Sequence, residues 1–271
     1  MTDEKIRWGM VGGGIGAFIG PVHRMAARLD GQFELLAAAP CSDPERTRRS
    51  GAELGLSPER VYDSFEHMAR AERERSDGIE AVSIVTPNHL HFPIARSFCE
   101  AGIHVICDKP LAATLREALA LEALVRANPV LFFVTYNYAG YPMVHQARAM
   151  IGAGELGALR VIQVEYAQGW LATALEHSGS PQAAWRTDPA RAGSGGSIAD
   201  IGTHALQLVR FVTGLPVSAV AAELTRIVPG RPLDDNASVQ LRFEGGARGE
   251  RAATAHLWGT RRARLESGAA R

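Results

Sequence analysis

The sequence predicts an α/β protein of two parts: a doubly wound parallel sheet over residues 1–136, then an α+β domain over 137–271 with an open, mainly antiparallel sheet. Three observations carry this. Short apolar runs alternate with helical patterns through the first half. A glycine-rich turn directly follows the first run. After residue 136 the runs change to alternating apolar and polar side chains.

Residues 6–11, 33–39, 81–85, 104–107 and 130–135 are too short and too continuously apolar for amphipathic helices, so they read as strands buried on both faces. Between them the helical period returns. Val22, Met25, Ala26 and Leu29 recur at i, i+3, i+4 and i+7, and Leu115, Ala118, Leu119 and Glu122 continue the pattern. Strand and helix in turn imply a parallel sheet with right-handed crossovers. The charge-rich run 69–77 reads as a solvated helix end. Beyond residue 136, a helix over 142–151 leads through Gly152 and Gly154 to a strand at 159–166 with one wet face, and 217–228 and 237–243 look similar.

Composition narrows the function. At 271 residues, 46% hydrophobic and 21% charged, the chain suits one large or two modest cores. A formal net charge of zero argues against nucleic acid or an anionic membrane as partner. The polar start and the lack of any apolar run near ~18 residues point away from secretion and from the membrane, toward the cytoplasm. Cys41, Cys99 and Cys107 have neither disulfide-framework nor zinc-ligand spacing, so no metal is expected.

The first chemical motif follows the first strand. Gly12 and Gly14, then Ile15, Gly16 and Ala17, fit G-x-G-x-x-G/A: a tight turn, a close backbone approach to a pyrophosphate, and a helix start offering N–H groups to it. A dinucleotide is the expected ligand. The choice between NAD and NADP belongs to the end of the second strand, at Cys41, Ser42, Asp43 and Arg46. Asp43 fits two roles, ribose-binding acid or N-cap with Pro44 behind it. Cys41 and Ser42, with Arg46 and Arg48 following, lean toward a 2′-phosphate.

Loops leaving the C-terminal ends of parallel strands form the ligand crevice of such sheets. Thr86, Pro87, Asn88 and His91 leave the 81–85 strand, and Asp108 and Lys109 leave the neighbouring one. Thr86 and Asn88 also suit a simple turn and helix cap. Lys109 stands out because lysine is scarce: Lys5 and Lys109 are the only two among 29 basic residues. An amine at a strand end can lose its proton, which arginine cannot. Downstream, Gly195 and Gly196 precede Ser197, Asp200 and His204. On a helix Asp200 and His204 share a face about one turn apart, while Ser197 and Asp200 also fit a capping pair.

Taken in order, GGGIG at 12–16, TPNHLH at 86–91, DKP at 108–110 and GGSIADIGTH at 195–204 resemble the glucose-fructose oxidoreductase, inositol dehydrogenase and MocA family, over roughly residues 6–246. The resemblance implies a Rossmann domain binding NAD or NADP, and a C-terminal domain whose open sheet often mediates homo-oligomers. It implies a substrate that is a secondary alcohol, or matching ketone, of a sugar or cyclitol. It places Lys109 near the nicotinamide and the reacting oxygen, and matches Asp200 and His204 to the family's later acid and histidine.

Hydride loss from an alcohol requires a base that takes the hydroxyl proton. His204 is expected as that base, Asp200 as its orienting partner or a substrate hydrogen bonder, and Lys109 as the group polarising the oxygen, its pKa lowered by burial. Exchange of the first two roles is an alternative. Tyr138, Tyr141, Trp185 and Arg186 are substrate-pocket candidates, with core packing the competing reading for the aromatics.

Two departures from the family pattern stand out. Asp108 replaces the usual glutamate, one methylene shorter. From Gly249 the alternation lapses into an arginine–alanine tail, which predicts an incomplete second sheet with an exposed edge or apolar face. Two other functions fit parts of the pattern. A cofactor-sensing regulator or inactive relative would keep the same fold. An S-adenosylmethionine methyltransferase shares the glycine turn but leaves Lys109, Asp200 and His204 unexplained.

Overall fold

The computed structural model describes residues 4–244, 247–254 and 263–268. Contacts divide the chain into two units, Met1–Thr135 and Tyr136–Arg271.

The first unit runs β1 (Ile6–Gly12), α1 (Ile19–Arg28), β2 (Phe33–Ala39), α2 (Pro44–Glu53), α3 (Phe65–Glu74), β3 (Ala81–Val85), α4 (His91–Glu100), β4 (His104–Cys107), α5 (Leu115–Ala127) and β5 (Phe132–Val134). Its strands form one parallel sheet in the order β2-β1-β3-β4-β5. Val61 adds a single parallel bridge to Ala38 outside β2, where the Tyr62 N–H donates to the Ala38 carbonyl at 2.8 Å. This bridge extends the five-stranded sheet by one residue beyond β2. β3 is buried at every residue, as the unbroken apolar run requires. Met10, Met68, Ile84, Ile94, Phe98 and Leu121 are among the fully buried side chains of this unit.

Two helices turn their apolar period outward, and one sequence expectation fails. Val22, Met25 and Leu29, whose period marks α1 as a helix, are 47, 67 and 83% exposed, where an apolar stripe ordinarily meets a core. α1 turns its narrow face inward because Gly20 lies against the glycine loop: a Cβ on Gly20 would stand 2.4 Å from Gly13 Cα. Leu115 and Leu119 of α5 are likewise exposed while Leu121 is buried. The run 69–77 is not simply solvated, since Glu72 within it is 1% exposed. Glu72 pairs with the buried Arg60 guanidinium, accepts from Tyr62 Oη at 2.7 Å and accepts from the Ile79 N–H at 3.1 Å. A buried carboxylate persists only with such full satisfaction.

The second unit contains α6 (Pro142–Gly152), β6 (Val161–Ala167), α7 (Pro181–Arg186), α8 (Pro189–Ala192), a wide π turn (Ile198–Gly202), α9 (Thr203–Thr213), β7 (Val217–Thr225), β8 (Asn236–Phe243), β9 (Arg248–Thr254) and β10 (Ala263–Gly268). The strands form a sheet in the order β10-β6-β9-β8-β7, antiparallel except between β6 and β9. Ala205 and Val209 of α9 pack on Ile162, Val164, Val239, Leu241 and Phe243. The lapse of strand structure expected from Gly249 is corrected. The backbone at 248–254 pairs with β6 and β8 on both sides, and β10 follows at an edge. The rest of the arginine–alanine tail, at 255–262 and 269–271, lies outside the described residues. The expected apolar exposure occurs instead on β7, where Val220 and Leu224 are 66 and 51% exposed. Among the described residues no helix is long and apolar enough to cross a membrane.

Candidate active site

In the first unit, the β1–α1 loop has the shape the glycine spacing predicts. Gly12 and Gly16 hold φ of +84° and +79°, in the left-handed region that L side chains avoid. A Cβ on Gly12 would meet Thr86 Cγ2 and the Val85 carbonyl at 2.9 Å, whereas above Gly16 nothing lies within 4 Å. Three successive carbonyls turn into the protein. Gly13 accepts from Arg24 Nη1 at 2.9 Å, Gly14 from the Ala17 N–H at 3.0 Å, and Ile15 from Arg46 Nη2 at 2.9 Å. α1 then starts with no side-chain cap and no acid in its first turn. By contrast α2, α3 and α5 are capped by Asp43, Ser64 and Thr114. Open space over Gly16 and an uncapped helix start fit a diphosphate, which would take up the amides and the positive end of the dipole.

At the end of β2 the structure makes Asp43 the N-cap of α2, its Oδ1 accepting from the Arg46 N–H at 2.7 Å. Cys41 Sγ turns to the Asp43 carbonyl at 3.3 Å and to Thr47 Oγ1, while Ser42 is exposed. After β3, Thr86 Oγ1 is buried with no protein partner among the described residues, so its hydrogen-bonding capacity at the strand end is unspent. Pro87 opens the 3-10 turn Asn88–Leu90, and Asn88 is buried in it. His91, expected to line the crevice, is fully buried. Its Nδ1 lies 2.8 Å from the Pro110 carbonyl and its Nε2 2.9 Å from the Thr86 carbonyl, so it ties two loops together and offers no nitrogen to a ligand. Burial holds its pKa below the ordinary 6.5, against both carbonyls, which favour the charged form. Lys109 is half-buried. The shorter Asp108 anchors its loop, Oδ1 accepting from the Lys109 N–H and from Thr135 Oγ1, each at 2.9 Å.

In the second unit, Asp200 sits in the π turn and His204 in the first turn of α9. Asp200 pairs with Arg186 across 3.3 Å, and the Arg186 guanidinium lies over Trp185, 4.2 Å from its ring centre, and near Trp170 at 5.5 Å. His204 is 7% exposed, edge-on to Tyr136 and Tyr138 with ring centres 5.8 and 4.8 Å away and tilted to Tyr166 at 6.2 Å. Tyr138 Oη bonds Tyr166 Oη, which accepts from Gln168 Nε2 at 2.8 Å, and Gln168 Oε1 in turn accepts from Trp170 Nε1 at 3.1 Å. Burial, then the Tyr166 bond, pushes the Tyr138 hydroxyl well above the usual tyrosine range, so it stays protonated.

A small pocket opens beside Asp200, lined by Gln168, Trp170, Arg186 and Asp234 among others. Of the expected pocket residues Arg186 lines it, Trp185 supports Arg186, and Tyr138 packs on His204. Tyr141 is 51% exposed at the N-terminus of α6, its ring edge-on to Tyr138 at 5.7 Å. Sequence reasoning missed Tyr136, Tyr166, Gln168, Trp170 and Asp234. The one available signal was the 166-168-170 alternation running off the end of β6, which puts three polar-tipped side chains on one side. The S-x-x-D capping pair does not form: Ser197 Oγ donates to Asp234 at 3.0 Å, and Asp200 faces Arg186 instead.

Comparison with known proteins gives matches to both units. Residues 6–136 match the oxidoreductase family with an NAD-binding Rossmann fold, and residues 144–267 match the GFO/IDH/MocA C-terminal domain. An inositol dehydrogenase homolog from Azotobacter vinelandii, solved with NAD+, is 39% identical, superposes with a TM-score of 0.95, and is covered over 70% of its length by 99% of this chain. A levoglucosan dehydrogenase from Pseudarthrobacter phenanthrenivorans is 32% identical, the match covering 94% of this chain and 69% of that protein. An uncharacterised oxidoreductase from Bacillus subtilis is 38% identical over 92% of this chain, which spans only 64% of that relative's length. With both units matched in order by one family, and 32% identity over most of a curated relative, this chain belongs to the Gfo/Idh/MocA family of oxidoreductases.

Proposed function

We propose that this chain is an NAD-dependent dehydrogenase acting on a secondary alcohol of a neutral sugar or cyclitol, or on the matching ketone in reverse. The observation that carries the reading is His204, an imidazole buried among three tyrosines four residues from a carboxylate, in a chain that also holds a dinucleotide cradle. Relatives support the substrate class: one solved structure carries NADH and myo-inositol, and another NADH and levoglucosan. NAD is favoured over NADP because relatives of this chain are solved with NAD+ or NADH. In keeping with this reading, the chain works in the cytoplasm and assembles as a homo-oligomer through its second sheet.

When bound, the nicotinamide supplies the hydride acceptor. His204 takes the hydroxyl proton as the carbinol C–H bond breaks, leaving a carbonyl. Asp200, fixed by Arg186, orients the imidazole or bonds a neighbouring hydroxyl. Lys109 polarises the reacting oxygen and shares in proton relay. The tyrosines round His204 exclude water from the proton transfer.

The test is a panel of polyols and sugars with NAD and with NADP, run on the wild type beside Lys109→Ala and His204→Ala. Turnover of a neutral polyol with NAD is expected, and His204→Ala should lower kcat by about 10²–10⁴-fold while NAD affinity holds. A kcat unchanged from the wild type in both variants would remove the assigned roles. Nucleotide binding without turnover of any panel member would favour the cofactor-sensing alternative.

A further inference from the structure

We propose that Asp234 is a positioning residue for the acid–base pair, holding the helix start that sets Asp200 and His204. The proposal rests on the dehydrogenase reading for its kinetic consequence but not for its geometry. The π turn at Ile198 has no cap of its own, since Ser197 makes no side-chain bond to its own helix. Asp234 arrives from the β7–β8 loop and closes it. Its Oδ1 accepts from the Gly196 N–H at 2.7 Å, and its Oδ2 accepts from the Ile198 N–H at 2.8 Å and from Ser197 Oγ at 3.0 Å. Its main-chain carbonyl takes the Ser197 N–H at 2.8 Å. One residue thus binds three consecutive residues by four hydrogen bonds, three of them to a carboxylate, in a region where Asp234 is 8% exposed.

The approach is possible only because Gly196 lacks a side chain: a Cβ there would stand 2.0 Å from the Asp234 carbonyl oxygen. The contact passes directly to the acid, because the Asp200 N–H donates to the Gly196 carbonyl at 2.9 Å. The loop carrying Asp234 is locked from behind. Asp235, 2% exposed, accepts from the Ile227 and Val228 N–H groups at 2.7 and 2.9 Å and pairs with Arg231. The buried Arg231 also pairs with Glu176 at 3.0 Å and donates to the Leu171 and Thr173 carbonyls. Asp234 lines the same cavity as Asp200 and Arg186, so a shift of its carboxylate is transmitted to the groups that face substrate.

The experiment compares wild type, Asp234→Asn and the milder Ser197→Ala by steady-state kinetics and by NMR titration of the His204 ring, assigned with His204→Gln. The ring is faced by Tyr136, Tyr138 and Tyr166, none of which changes in these variants. Asp234→Asn turns an amide NH₂ toward a donor. It should lower kcat of the folded fraction by about 10–100-fold, move the pH profile of kcat/KM and displace the His204 titration, with NAD affinity unchanged. Ser197→Ala should move the same readouts in the same direction by a smaller factor, and serves alone if Asp234→Asn does not fold. A His204 titration and kcat unchanged in the folded variants would overturn the proposal, leaving Asp234 as a stability element only. A wild type inactive on every alcohol, with the His204 response to Asp234→Asn intact, would defeat the dehydrogenase reading and leave the positioning role standing.

Discussion

The helix that follows the glycine loop and the helix that carries the acid–base pair begin in opposite ways. α1 starts bare, with no cap, no acid in its first turn and open space over Gly16. The helical run at Ile198 starts fully engaged, closed by a carboxylate from far along the chain. An open start is available to an anionic ligand, and a closed one is a fixed mount. Backbone N–H groups at a helix start are thus left open in the first unit and taken up by a distant residue in the second.

One substitution placed in both loops should separate these purposes most strongly. Gly196→Ala drives a methyl group into the Asp234 carbonyl and should cost about 3 kcal/mol, read as a lower urea midpoint for the second unit. Gly16→Ala meets no atom and costs only the left-handed φ, about 1 kcal/mol. Equal losses at the two positions would erase the distinction.

Acid should weaken the first unit by a route of its own. Burial lowers the pKa of His91, and lowers that of His23 against the nearby Asp108 carboxylate. Below the ordinary 6.5 the unfolded chain therefore binds more protons than the folded one. The stability from keeping these rings neutral is complete above that pH. It falls by up to about 1.4 kcal/mol per histidine for each pH unit below it, until the folded values are reached. Urea midpoints between pH 7.5 and 5.5, with His23→Gln removing one share, measure the slope; a flat profile would contradict it.

The smallest effect comes from putting an acid where α1 has none. Phe18→Asp should steady the helix by roughly 0.5 kcal/mol through the dipole yet weaken NAD binding about tenfold by repelling the diphosphate, with the polyol KM unchanged. Unaltered NAD affinity would show that the diphosphate does not lie at this helix start.

Legibility in the sequence tracked the range of the interactions. β2, β3 and β4 occupy the segments their apolar runs predict, and the glycine turn has the positive φ values its spacing requires, because those features are decided within a few residues. Helix faces were less legible. A 3.6-residue period reveals that α1 is two-sided, but a single close contact at Gly20 decided which side packs. Least legible were partners far apart in the chain. Glu72 reads as one more charge in a charged run until Arg60, Tyr62 and Ile79 close round it. Asp234 carries no local signature, since its three carboxylate partners lie 36 to 38 residues earlier. His91 looked like a ligand residue because its neighbours in sequence form a strand-end loop, yet both of its nitrogens face backbone carbonyls.

The placement of β9 sets the order in which the molecule can be made. It is the middle strand of its sheet, flanked by β6 and β8, yet it follows both of them along the chain. On the ribosome the first sheet has every strand in hand by Val134, while β6 must wait some eighty residues for its parallel neighbour. Until then β6 has no strand partner and β8 pairs with β7 alone, so both present open ladder edges of the kind that extended peptide can join until β9 is made.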